Sequence, residues 1–164
     1  MVLMVGSKDS NRIFRMELEK RGVSGEFFNH PSKFEDYFRD GKLQDPHEKK
    51  GLIFHNFVNS HITRVPILGG DKEIKSNAQE WVYHFLIDGK NRKILKNFPV
   101  LYLGENNMTD NLTLQYGGDL LDDPRERVEK LFMENGYDNF SYVKYLSDKN
   151  LRRGIDEFIS KISE

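Results

Sequence analysis

Short apolar runs alternate with stretches of helical period from one end of the chain to the other. That is the pattern of a parallel sheet whose connections are helices lying on both of its faces. Val2 to Val5 is a near-continuous apolar run, suited to a strand buried on both sides, and the polar turn Gly6-Ser7-Lys8-Asp9-Ser10 follows it. A helix should begin there, with Asp9 or Ser10 as N-cap, Phe14 and Leu18 on one face, and Gly22 at a left-handed C-terminal position. Gly25 to Asn29 predicts a second strand. Ser32-Lys33-Phe34-Glu35 reads as a capping box that opens a short helix to about Arg39, stopped near Gly41.

Gly51 to Phe57 and Phe98 to Gly104 are the third and fourth strands, both apolar enough to be central. Between them Ala78, Trp81, Val82 and Phe85 keep helical spacing, with a continuation to Leu95 and a break expected at Asp88-Gly89. Asp123-Pro124-Arg125-Glu126 is another helix start, with proline at the first helical position, and Val128, Leu131 and Phe132 follow before Gly136. Tyr142 to Ser147 predicts the fifth strand. Leu151, Ile155, Phe158, Ile159 and Ile162 make the clearest apolar stripe in the chain, with Asp148 as its cap. The expected organisation is five strands and five helices in one domain over residues 1–164.

Two connections exceed the roughly 2–6 residues usual in α/β units, from Val58 to about Asn77 and from Glu105 to Asp122. The first carries Ile62 to Leu68 before Gly69-Gly70-Asp71, which suits a small edge hairpin. Both leave the carboxyl edge of the sheet, where open α/β folds bind ligands.

Composition narrows the function classes. Twenty-five basic residues against 26 acidic ones leave a net charge of −1, so no whole-protein field draws the chain to nucleic acid or anionic lipid. No stretch approaches a membrane span, and the first residues lack the basic flank of a signal peptide, so the expected location is the cytoplasm. The absence of cysteine removes thiol catalysis, disulfides and thiolate metal sites together.

Four local patterns occur in order: Val2-Leu3-Met4-Val5, Leu52-Ile53-Phe54-His55-Asn56, Phe98-Pro99-Val100-Leu101-Tyr102-Leu103, and Asn135-Gly136-Tyr137-Asp138 leading to Tyr145-Leu146-Ser147. With the element order, they make the chain resemble the receiver domain of two-component response regulators, over nearly its whole length. The resemblance implies a flavodoxin-like, doubly wound, five-stranded parallel sheet of order 2-1-3-4-5, with helices on both faces in three layers. It also implies a site made of two acidic residues after strand 1, an aspartate ending strand 3, Ser/Thr ending strand 4 and a lysine after strand 5. Here the acidic pair falls on Gly6 and Ser7, with only Asp9 nearby, and the phosphoacceptor position falls on Asn56 beside His55. The hydroxyl position falls on Gly104, and the lysine position on Asp148, or on Lys149 after a one-residue slip. An amide is not the carboxylate nucleophile that an acyl phosphate needs, and Mg²⁺ loses its hard oxygen ligands.

The expectation is therefore a degenerate pseudo-receiver: a non-enzymatic, cofactor-free signalling module that acts through a protein partner or a second copy. By the same resemblance the face of the fourth helix, fifth strand and fifth helix is the place of docking, where Tyr142, Tyr145, Arg152 and Arg153 would supply aromatic and arginine anchors. Packing and solvation are the plain alternatives for these four. A second class of function is a small-ligand, nucleotide or flavin-binding protein using Ser7, Asp9, Asn56 and His55 at the sheet edge, although no residue identifies the ligand.

Sharper chemistry finds less support. His55, His61 and Asp71 or Glu73 match no strong metal-ligand spacing. Gly6 to Ser10 lacks the glycine pattern of a phosphate-binding loop, and no Gly-x-Ser-x-Gly elbow supports a triad of Ser7, His30 or His55 and an aspartate. Basic residues on the first helix (Arg12, Arg15, Lys20, Arg21) and around Lys90 to Lys96 read as solvated faces, so no role with nucleic acid is expected of this domain alone.

Overall fold

The computed structural model describes residues 1–6, 8–41, 51–55, 61–67, 70–76, 78–104, 124–144 and 148–164. In chain order its strands are β1 (Val2–Val5), β2 (Gly25–Phe28), β3 (Gly51–His55), β4 (His61–Ile67), β5 (Gly70–Ser76), β6 (Val100–Gly104) and β7 (Phe140–Lys144). Its helices are α1 (Lys8–Glu19), α2 (Pro31–Arg39), α3 (Ala78–Ile87), α4 (Gly89–Leu95), α5 (Pro124–Glu134) and α6 (Asp148–Ser163).

Every residue of β1, β3 and β6 is buried, which places these strands at the centre and requires cover on both faces. The sheet runs β2-β1-β3-β6-β7, parallel throughout. This is the 2-1-3-4-5 order of a flavodoxin-like α/β fold. Side chains alternate between two cores, as the period of a strand demands. Leu3, Val5, Leu52, Phe54, Val100 and Tyr102 face α2, α3, α4 and α5. Val2, Met4, Ile53, Leu101 and Leu103 face Phe14 and Leu18 of α1 and Leu151, Ile155 and Phe158 of α6. Gly51 lets α6 close on the start of β3, because a Cβ there would stand 2.5 Å from the Phe158 ring and 2.7 Å from Ile162.

The predicted third helix breaks where expected, and Asp88 caps α4 by accepting from the Lys90 and Asn91 backbone N–H groups. Gly22 takes a positive φ at its helix end, as expected, and so do Gly41 and Gly136, which the sequence marks only as stops. Other local expectations change. α1 starts at Lys8, so Asp9 and Ser10 lie inside its first turn and neither is the cap. α2 is capped by His30, not by Ser32. Pro31 needs no hydrogen bond at the first helical position, and His30 Nδ1 accepts the Ser32 N–H at 3.3 Å. Glu35 is consequently free of a capping box and accepts the Trp81 indole N–H at 2.6 Å, pinning α2 to α3.

The last strand begins at Phe140, two residues before the predicted start, and Asp148 is the first residue of α6. The hairpin at the glycine pair forms, but β4 and β5 make a separate antiparallel sheet rather than an edge of the main one. The 105–122 connection lies outside the described residues.

Candidate functional site at the carboxyl edge of the sheet

Parallel strands β1, β3 and β6 deliver Gly6, His55 and Gly104 to one edge. Gly6 is buried, and its N–H donates to Phe28 O at 3.1 Å. The turn it opens is held by a residue that the sequence reading passed over. Asn11, 4% exposed in the first turns of α1, donates its amide to Gly6 O (3.3 Å), Phe28 O (3.1 Å) and Asn29 Oδ1 (2.7 Å). Three acceptors around one NH₂ fix the amide's orientation. Asn11 Oδ1 is left buried with no hydrogen-bond partner among the described residues. The available signal was its phase, since 11, 14 and 18 form one inward stripe in which a polar side chain must find partners.

His55 ends β3 on the α1 side, 8% exposed, with its ring centroid 5.9 Å from that of Phe14. Asn56 and Ser7 lie outside the described residues, and Asp9 and Asp148 are placed only by their positions in the first turns of α1 and α6. Lys149, the second residue of α6, is exposed.

Gly104 sits on the opposite face of the sheet, and its missing side chain has been replaced by a neighbour's ring. A Cβ built there would stand 2.7 Å from Tyr142 Cε2 and 2.8 Å from its Oη. Tyr142 is 3% exposed and stacks on Tyr102 at 6.2 Å between centroids. The expectation of Tyr142 as a surface anchor is therefore corrected: the groove left by glycine on the adjacent strand takes the ring inward. Tyr102 is fully buried and its hydroxyl has no hydrogen-bond partner among the described residues. Burial, and secondarily Tyr142, pushes the Tyr102 phenol well above its ordinary range, so it stays protonated.

The edge strand β7 is guarded from both sides. Its Tyr142 N–H donates to Glu129 Oε1 of α5 (3.1 Å), and Lys161 of α6 donates to Ser141 Oγ (2.6 Å). Of the predicted docking anchors, Arg152 and Arg153 are exposed on α6, Arg153 beside Glu157 at 3.3 Å, and Tyr145 lies outside the described residues.

Gly6, His55 and Gly104 carry no carboxylate, and among the described residues no three His, Asp or Glu side chains gather where they could hold a metal ion. These three strand-end residues offer no carboxylate oxygen to the Mg²⁺ that the receiver resemblance implies. No described helix is long and apolar enough to cross a membrane.

The sequence matches no protein-family model and no curated protein. Among solved structures, full-length FixJ from B. japonicum superposes over 98% of this chain with a TM-score of 0.49 at 14% identity, and the chain spans 58% of that protein's length. A sensor protein from Polaromonas sp. JS666 superposes over 98% of this chain and 97% of its own, with a TM-score of 0.48 at 10% identity. The fold assignment rests on strand order and direction, not on these two likenesses.

Proposed function

We propose that the chain is a receiver-like regulatory domain that works by binding another protein and is not switched by phosphorylation at its sheet edge. The filling of the Gly104 position carries this reading. Where the receiver pattern has a hydroxyl side chain to hold a phosphoryl oxygen, this chain has a glycine covered by the Tyr142 ring. The sequence agrees at the other strand ends, with Gly6 in place of an acid and Asn56 in place of the phosphoacceptor. With no cluster of like charges, there is no repulsion for Mg²⁺ or a phosphoryl group to relieve. One resting state then suffices, and the exposed Arg152 and Arg153 of α6 are the side chains offered to a protein partner.

The test is ¹⁵N-labelled full-length chain titrated with Mg²⁺ and beryllofluoride, then with acetyl phosphate, following the amides of Gly6, His55 and Gly104. The expected result is no saturable shift at any of the three. Saturable shifts at all of them would overturn the reading and restore a phosphorylation switch.

A second reading, a small-ligand site at the same edge, is favoured by Asn11 Oδ1, a buried polar atom without a described partner beside the Gly6 turn. A ligand at 100 times its dissociation constant stabilises its protein by about 2.7 kcal/mol, so thermal-shift screening with nucleotides and flavins separates the two. A clear upward shift supports the ligand site, and none supports the interaction module.

A further inference from the structure

Among the described residues, the two outer edges of the β4–β5 hairpin are unpaired, and they differ in what they offer a further strand. Its arms pair without a slip from Ile67↔Gly70 to His61↔Ser76, with two residues between them in the sequence. In such a hairpin the closing residues face each other through their backbone groups, and every second pair after them does the same. His61, Thr63, Val65 and Ile67 therefore direct their backbone groups at β5, and Ile62, Arg64 and Pro66 direct theirs outward. Pro66 has no N–H, so the outer edge of β4 is interrupted. On β5 the outward residues are Asp71, Glu73 and Lys75, each with a donor and an acceptor. Among the described residues β5 pairs with β4 alone.

We propose that this open edge pairs with the same edge of a second copy, giving a four-stranded antiparallel sheet of order β4-β5-β5-β4 about a two-fold axis. Charge selects the register. Outward residues can pair only with outward residues, so the axis must pass through a residue of β5. An axis at Asp71, Lys72, Glu73 or Lys75 sets that residue's charge against itself. An axis at Ile74 places Glu73 opposite Lys75 of the second copy, twice by symmetry, and Lys72 opposite Ser76. It also brings Ile74 to Ile74 at a non-hydrogen-bonded position, where facing residues come closest. Of these five registers it alone opposes no like charges. Both arms of the hairpin lie against α3, and a second copy would extend the two-stranded sheet to four strands. This dimer is independent of the receiver reading, since neither the sheet edge nor α6 takes part.

Sedimentation velocity on the full chain over a broad concentration range tests it. Dimer formation is expected for the natural protein. Glu73→Lys and Lys75→Glu should each weaken association on the order of tenfold, because each opposes like charges twice. Mixing the two variants should restore a dimer, since each then meets the opposite charge. Glu73→Pro removes an outward N–H and leaves the β4–β5 ladder intact, so it should abolish association, with Trp81 emission reporting that the fold is kept. A natural protein monomeric at all concentrations would overturn the proposal. So would a dimer indifferent to Glu73→Pro, or a mixture no tighter than its components.

Discussion

Gly104→Ala asks whether the sheet edge is closed by the Tyr142 ring. The added Cβ would lie 2.7 Å from Cε2, 2.8 Å from Oη and 3.2 Å from Cζ of Tyr142, so the ring must move. It has little room inside, being 3% exposed and stacked on fully buried Tyr102. Pressing inward overpacks the core, at a cost of about 1–3 kcal/mol. Swinging outward exposes the aromatic surface, at about 1.5–3 kcal/mol. Gly104 does not have a positive φ, so alanine meets no backbone strain and would, in free space, stabilise the protein by about 0.4–1 kcal/mol through the unfolded chain. Sterics and entropy therefore predict opposite signs, and sterics should win. Urea unfolding followed by the emission of the single, fully buried Trp81 reads the difference directly, and the melting temperature should fall by roughly 3–10 °C for a chain of this size. In a Tyr142→Leu background the three clashing atoms are gone, so the same substitution should become nearly neutral, giving a coupling of about 1–2 kcal/mol. Equal effects in the two backgrounds, or a Gly104→Ala protein as stable as the natural one, would refute the account.

Tyr137→Phe should cost about 1–3 kcal/mol in urea unfolding, because the buried phenol donates to Leu86 O at the end of α3 and its loss strands that carbonyl. Asn11→Ala should cost a similar amount, about 1–3 kcal/mol, and shift the amides of Gly6 and Asn29, since it removes the donor shared by Gly6 O, Phe28 O and Asn29 Oδ1. Glu17 supplies a pH dependence: hydrogen bonds from Lys20 and then Arg21 hold its carboxyl down at about 2 against an ordinary 4.5. A lowered folded-state pKa stabilises the protein above about pH 4.5 and loses that contribution as pH falls toward 2. With Lys20 59% exposed, solvent screening reduces the contribution to about 1 kcal/mol. Stability curves of the natural protein and Glu17→Gln, measured from pH 7 to pH 2.5, should therefore converge as the pH is lowered; parallel curves would refute this.

The main sheet was legible because its central strands are buried on both faces and so appear as unbroken apolar runs, as in Val2 to Val5 and Val100 to Leu103. Helix boundaries were less so. Ser32 and Glu35 have the spacing of a capping box, yet Pro31 at the first helical position puts the cap two residues earlier, at His30, and the buried indole of Trp81 claims Glu35. Tyr142 shows what a one-dimensional pattern omits. Its own strand alternates in a way that leaves its exposure open, and the decisive residue, Gly104, is 38 positions away and becomes a neighbour only when β6 and β7 pair. Asn11 failed to register for a related reason: its partners Gly6, Phe28 and Asn29 converge only once β1 and β2 lie side by side.

Gly6, Asn11, Gly104 and Tyr142 together suggest why such an edge could persist without charge. On the α1 side a neutral amide ties the β1 turn to the end of β2, and on the other side a neutral phenol covers the last residue of β6. An acidic cluster in these places would set carboxylates against each other in a partly buried site, a repulsion that needs a cation or a hydrogen-bond donor to offset it. Neutral closure has no such requirement, so under the proposed function the edge keeps one conformation whatever ion is present. Regulation then has to enter elsewhere, through surfaces that recognise a partner. The exposed arginines of α6 and, by the dimer proposed above, the outer edge of β5 are two such surfaces, one on a helix and the other on the separate two-stranded sheet. A variant in one can therefore be tested without disturbing the other.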